Sequence, residues 1–223
     1  MAITREMLLQ GGVLRMVAES SPGLRVLSTE ERERSLSDTM AARPEAAGDV
    51  WLFAYGSLIW NPALHFAEQR LARVHGWHRA FCLSTIAGRG TAEAPGLVLG
   101  LDRGGACTGA AFRMEEAGLR TELSLLWQRE MLSGSYRPRW VVVRGADGVP
   151  FGHAIAFTIR RDGEYYVRLE REELVRRLAT AAGSLGSSAE YLYKTRDGLR
   201  GLGIRDQRVE ALAQAVEGFG KAG

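Results

Sequence analysis

Residues 51–60 read Trp-Leu-Phe-Ala-Tyr-Gly-Ser-Leu-Ile-Trp, an apolar run that breaks at Tyr55-Gly56-Ser57-Leu58. Val50, Trp51, Leu52 and Phe53 predict a short buried strand, and Gly56 lets the backbone turn sharply where a ligand approaches. The turn is the first candidate for a binding site. The second is Glu130, a carboxylate on an otherwise apolar helix face further along the chain.

Outward from this stretch the pattern favours strands. Residues 70–74, 79–85, 97–101, 108–114, 139–144 and 153–159 are apolar or β-branched runs separated by glycine-containing turns, a spacing that predicts a barrel or folded sheet instead of alternating βαβ units. One helix, 115–132, interrupts them, with Leu119, Leu123, Leu126 and Trp127 at helical spacing and Gly134 as a stop. Helical patterns at 171–182, 188–199 and 206–219 close the chain. The fold class expected is α+β, strands first and most helices after.

Residues 1–48 differ in composition, rich in Arg, Glu, Ser and Ala, and are read as a helical extension preceding a domain at 49–223. Ser28-Thr29-Glu30-Glu31 has the capping-box pattern for a helix reaching about Ala42, and Arg43-Pro44 ends it. Leu8, Leu9, Val13, Leu14 and Val17 form a further amphipathic piece that Gly11-Gly12 interrupts. The extension is expected either to pack on the domain or to be partly disordered.

The chain has 223 residues, 46% hydrophobic and 25% charged, with a net charge of +3, the composition of a globular protein with one good-sized core. Its charges are interspersed, without the basic clustering that nucleic-acid binding requires. Cys82 and Cys107 stand apart and there are four histidines, so neither a zinc site nor a disulfide framework is expected. No run approaches membrane-spanning length and Arg5-Glu6 interrupts any signal sequence. The expected location is a reducing cytoplasm, with no membrane and no nucleic-acid partner.

On a helical wheel Glu130 lies about 20° from Leu123, on the apolar stripe. Burial and the adjacent helix C-terminus would both raise its pKa and poise it as a general acid/base; the alternative is a solvated residue or a structural ion pair with Arg129, Arg137 or Arg139. Tyr55-Gly56-Ser57-Leu58 lacks the second glycine of a nucleophile elbow and the Lys of a phosphate loop. It reads as an oxyanion nest of backbone N–H groups, or as a plain turn. Arg89, between Gly88 and Gly90, sits on a loop that could carry it over a site or leave it exposed. Tyr191 would be ordinary core if its hydroxyl is satisfied.

Together these residues resemble the ChaC family of γ-glutamylcyclotransferases. The resemblance spans about residues 50–206, carried by the 51–62 segment, Gly76-Trp-His-Arg-Ala-Phe-Cys82, Gly88-Arg-Gly-Thr91, Pro95-Gly-Leu-Val-Leu-Gly-Leu101, Arg129-Glu-Met131 with Tyr136-Arg-Pro-Arg139, and Glu190-Tyr-Leu192. Ala54 stands where the family usually has glycine. The resemblance implies a mixed β-barrel with flanking helices and cleavage of glutathione, a small-molecule substrate, to 5-oxoproline and Cys-Gly. It implies Glu130 as the general acid/base, and Tyr55, Gly56, Ser57 and Leu58 holding the γ-glutamyl group. Tyr136 and Tyr191 would position substrate, and Arg89 would meet a peptide carboxylate. No cofactor and no metal are implied. Some relatives carry a second acidic residue in the catalytic helix; the nearest here, Glu122, lies about 80° from Glu130 on the wheel. The alternatives are a cyclotransferase for another γ-glutamyl compound and a non-enzymatic binding or regulatory protein on the same fold.

Overall fold

The computed structural model describes residues 3–219. Three helices come first: α1 (Arg5–Leu9), α2 (Gly12–Ser20) and α3 (Thr29–Ala41). Gly11, at φ 65°, separates the first two. The capping box forms at α3: the Ser28 hydroxyl accepts from Glu31 N–H, and the Glu31 carboxylate accepts from Ser28 N–H. Two amides at the helix start are thereby satisfied.

The barrel begins with β1 (Trp51–Ala54), followed by the single turn α4 (Ser57–Trp60). Two long strands, β2 (Glu68–Thr85) and β3 (Gly96–Arg113), lead to helix α5 (Leu119–Glu130) and the antiparallel pair β4 (Tyr136–Arg144) and β5 (Pro150–Ile159). The strands close in the order β1-β3-β2-β4-β5, and parallel pairing of β1 with β5 completes the ring. After the barrel come α6 (Arg171–Thr180), the small hairpin of β6 (Ala182–Gly183) and β7 (Gly186–Ser187), α7 (Ser188–Gly201) and α8 (Gln207–Phe219). The fold is α+β with a closed five-stranded barrel.

β1 is apolar throughout because it is buried on both faces. Trp51, Phe53 and Tyr55 join a cluster with Leu178, Leu192 and Ala213 of the C-terminal helices. Val50, Leu52 and Ala54 join a second cluster with Leu8, Leu36 and Trp127, drawn from the N-terminal helices and α5. Such a strand shows no polar alternation.

The segments expected as separate strands at 70–74 and 79–85 are one strand, as are those at 97–101 and 108–114. Gly76 at φ 80° lies across from Gly104 and Gly105 at φ 104° and 69°, and the β2–β3 register shifts between His75 and Trp77. Glycines in left-handed backbone bulge and bend a strand pair without ending it. A bulge glycine and a turn glycine read alike in sequence.

Candidate active site

Helix α5 buries Leu123, Leu126 and Trp127, and the same stripe carries Glu130 inward at its last residue, with 14% of the side chain exposed. Burial pushes the Glu130 carboxyl above the ordinary carboxylate range, and Arg129 opposes the shift. Arg129 Nε lies 3.0 Å from Glu130 Oε1. Glu130 is therefore both perturbed by burial and ion-paired with Arg129.

The Arg129 side chain is itself 4% exposed. It donates from Nη2 to Ser57 Oγ at 3.0 Å and from Nη1 to the Asn61 and Pro62 carbonyls at 2.6 and 3.3 Å. One guanidinium thus fixes both Glu130 and the loop that ends β1. That loop is less open than a nest: Ser57 starts α4, whose first N–H groups have no intrahelical acceptor. A Cβ on Gly56 would lie 2.9 Å from Tyr191 Oη, so the glycine is required by the tyrosine's approach.

Three tyrosine hydroxyls gather here. Tyr55 donates to the Phe157 carbonyl and Tyr136 to the Leu99 carbonyl, each at 2.7 Å. Tyr191, pushed up to about 12, owes the shift to burial and then to Glu130, partly offset by hydrogen bonds from Leu99 and Ser57. These phenols stay protonated and act as neutral polar groups.

Ser57, Arg89, Glu130, Tyr136 and Tyr191 line one cavity of about 190 Å³. A water needs about 10–15 Å³ on such a measure, so there is room for a small peptide. Tyr55, Gly56 and Leu58 stand behind this wall: Leu58 belongs to the core and Tyr55 is bound to β5. Arg89 is buried, not exposed on a loop tip. Its Nη1 donates to Glu190 Oε2 at 2.7 Å and its Cζ lies 5.9 Å from the Tyr191 ring centroid. The Arg89 carbonyl accepts from Ser188 Oγ, anchoring the loop.

Glu122 does not join the site. Its carboxylate is gripped by Arg5 through both oxygens, at 2.6 and 2.5 Å, and accepts from His65 N–H at 3.0 Å. In the sequence Arg129 stands as a possible partner for Glu130 and within the Arg129-Glu-Met131 segment, with no sign of its bond to Ser57. Sequence reasoning missed Asn61 and the cavity lining from the N-terminal helices, Val13, Met16 and Val17; the apolar spacing of α2 was the only signal. Among the described residues no group of three His, Cys, Asp or Glu side chains is placed to hold a metal. No helix among them is long and apolar enough to cross a membrane.

Residues 50–219 match the family described as ChaC-like protein. The chain is 43% identical over 190 residues to the glutathione-specific γ-glutamylcyclotransferase of Escherichia coli, covering 85% of this chain and 82% of that protein. It is 28% identical to the human glutathione-specific γ-glutamylcyclotransferase 1, over 82% and 86% of the two chains. The crystal structure of a yeast γ-glutamyl cyclotransferase specific to glutathione superposes with a TM-score of 0.70 at 21% identity, covering 76% of this chain and 96% of that one. At that identity the likeness speaks to the fold.

Proposed function

The chain belongs to the ChaC-like family, and from that premise we propose that it is a γ-glutamylcyclotransferase cleaving glutathione to 5-oxoproline and Cys-Gly, with Glu130 as general acid/base. The observation that carries the reading is the place of Glu130: a buried carboxyl of raised pKa on the wall of a peptide-sized cavity, tied through Arg129 to Ser57. The similarity to relatives named for this activity supplies the substrate.

In the proposed reaction Glu130 takes a proton from the substrate's α-ammonium. The freed amine attacks the γ-carbonyl carbon, and a five-membered ring closes through a tetrahedral oxyanion. The C–N bond to the cysteinyl nitrogen then breaks as Glu130 returns its proton to the departing amine, and the remaining extra proton on the ring nitrogen passes to that amine through the same carboxylate, leaving a neutral lactam and an ammonium. Atoms balance without water or any co-reactant. Nucleophile and electrophile share one molecule, so a cavity that holds the chain folded supplies part of the roughly 7–11 kcal/mol that orientation can yield.

Tyr136 and Tyr191, as neutral hydrogen-bonding groups, position the γ-glutamyl half. The N–H group of Ser57, the residue of the 55–58 turn that lines the cavity, stabilises the oxyanion. Tyr55 and Gly56 hold that turn in place from behind, and Arg89 orients Tyr191 while paired with Glu190. The reading also assigns the protein to a reducing compartment, the cytoplasm. Cys82 and Cys107 are free and buried, and burial pushes the Cys82 thiol up to about 12, which makes it a poor nucleophile.

The test is product analysis in water labelled with oxygen-18. Cyclisation gives equal amounts of unlabelled 5-oxoproline and Cys-Gly. Labelled glutamate in place of 5-oxoproline would mean hydrolysis and would contradict the mechanism.

A further inference from the structure

The wall of the cavity is not made by the barrel alone. Val13, Met16, Val17 and Leu24, from the segment preceding the barrel, line the same space as Glu130 and Ser57. Positions 13, 16 and 17 fall at i, i+3 and i+4 in α2 and so share one helical face. Val13 and Val17 are buried and Met16 is half-buried.

This segment is fastened on both sides of the site. At its start the Ile3 carbonyl accepts from Asn61 Nδ2 at 2.9 Å, and the Asn61 carbonyl in turn accepts from Arg129. The Arg5–Glu122 pair clamps α1 onto α5. Past α2, Ser21 Oγ donates to the Ile86 carbonyl at 2.7 Å, and Leu27 N–H donates to the Leu132 carbonyl at 2.8 Å. An apolar helix face is thereby held opposite a set of polar groups.

The chemistry of the two sides differs. Ser57, Glu130, Tyr136 and Tyr191 suit the γ-glutamyl half, which carries an ammonium, a carboxylate and the scissile amide. The face of Val13, Met16 and Val17 offers neither charge nor hydrogen bond. It suits the other half, the residue that departs as a free amine, where that residue carries a small uncharged side chain.

We propose that α2 is a specificity-determining wall, with Met16 at its centre, that contacts the departing residue and selects it by size and lack of charge. The proposal rests on the cyclotransferase reading. One extra or missing methylene in an apolar pocket changes discrimination by about 10–200-fold, so the wall has the strength to set substrate preference.

The experiment compares kcat/KM for glutathione and γ-Glu-Leu-Gly, measured as 5-oxoproline release, in the wild type, Met16→Ala, Met16→Glu and Leu9→Ala. Leu9 is an exposed residue of α1 outside the cavity. Because the readout is a ratio, loss of folded enzyme cancels. Met16→Ala makes room and raises the preference for γ-Glu-Leu-Gly over glutathione about tenfold or more. Met16→Glu lowers kcat/KM for both peptides mainly through KM, and Leu9→Ala leaves the ratio at the wild-type value. A ratio within twofold of wild type in Met16→Ala, or one that Leu9→Ala moves equally, overturns the proposal while the function stands. A wild type that releases 5-oxoproline from neither peptide overturns the function and the proposal together.

Discussion

Arg129 brings its Nε to 3.0 Å from Glu130 Oε1 although the two are consecutive residues of α5. Neighbours on a helix point about 100° apart, so the pair meets only because both side chains bend toward the same cavity. Arg129 continues to Ser57 Oγ, which joins Glu130 to the loop that ends β1.

Replacing Arg129 with Met removes the group that lowers the Glu130 pKa and positions Ser57. In the proposed reaction the carboxylate is the active form in the attack step, so activity should fall as pH drops through the Glu130 pKa. In Arg129→Met that acidic limb moves to higher pH, and kcat/KM falls by about 10²-fold from misplacement. Breaking the buried pair costs about 3–5 kcal/mol. A pH profile of kcat/KM with urea unfolding checks both effects.

Glu122 and Glu130 make stability depend on pH in opposite directions. The Glu122 carboxyl is held below its ordinary range: Arg5 and His65 N–H lower it and outweigh burial, the largest single influence, which raises it. Its contribution is present above the unfolded pKa and lost as pH falls through the folded one. Glu130 is raised by burial, so its contribution is present at low pH and lost as pH rises through its folded pKa. Glu122→Gln should cost about 1.5–3 kcal/mol near pH 7 and flatten the acid side of a Tm-versus-pH curve. The Tm difference between Glu130→Gln and the wild type should shift in the variant's favour as pH increases.

A methyl group at Gly56 would press on Tyr191 Oη. Gly56→Ala should cost about 1–3 kcal/mol by overpacking and reduce kcat more than tenfold by displacing Tyr191 and Ser57. Removing the opposing oxygen relieves the contact, so the double variant Gly56→Ala, Tyr191→Phe should be more stable than Gly56→Ala alone. Thermal melts of the wild type and the two variants decide this.

The barrel was legible where the apolar pattern is local. The run at 50–54 read as a strand because both its faces are buried, and Ser28 with Glu31 announced α3. Gly76, Gly104 and Gly105 misled because positive φ serves bulges and turns alike. The inward face of Glu130 followed from its register with Leu123. Its bond to Arg129, the committed guanidinium of Arg89 and the seat of α2 against the cavity are contacts between segments distant in sequence or set by side-chain rotamers. No periodicity encodes them.

The most direct measurement is 5-oxoproline release from glutathione by the wild type beside Glu130→Gln, with circular dichroism showing both folded. Gln keeps the shape and cannot take the ammonium proton, so the account predicts turnover by the wild type and a loss of about 10²–10⁴-fold in the variant. A folded Glu130→Gln protein that releases 5-oxoproline at the wild-type rate would contradict it.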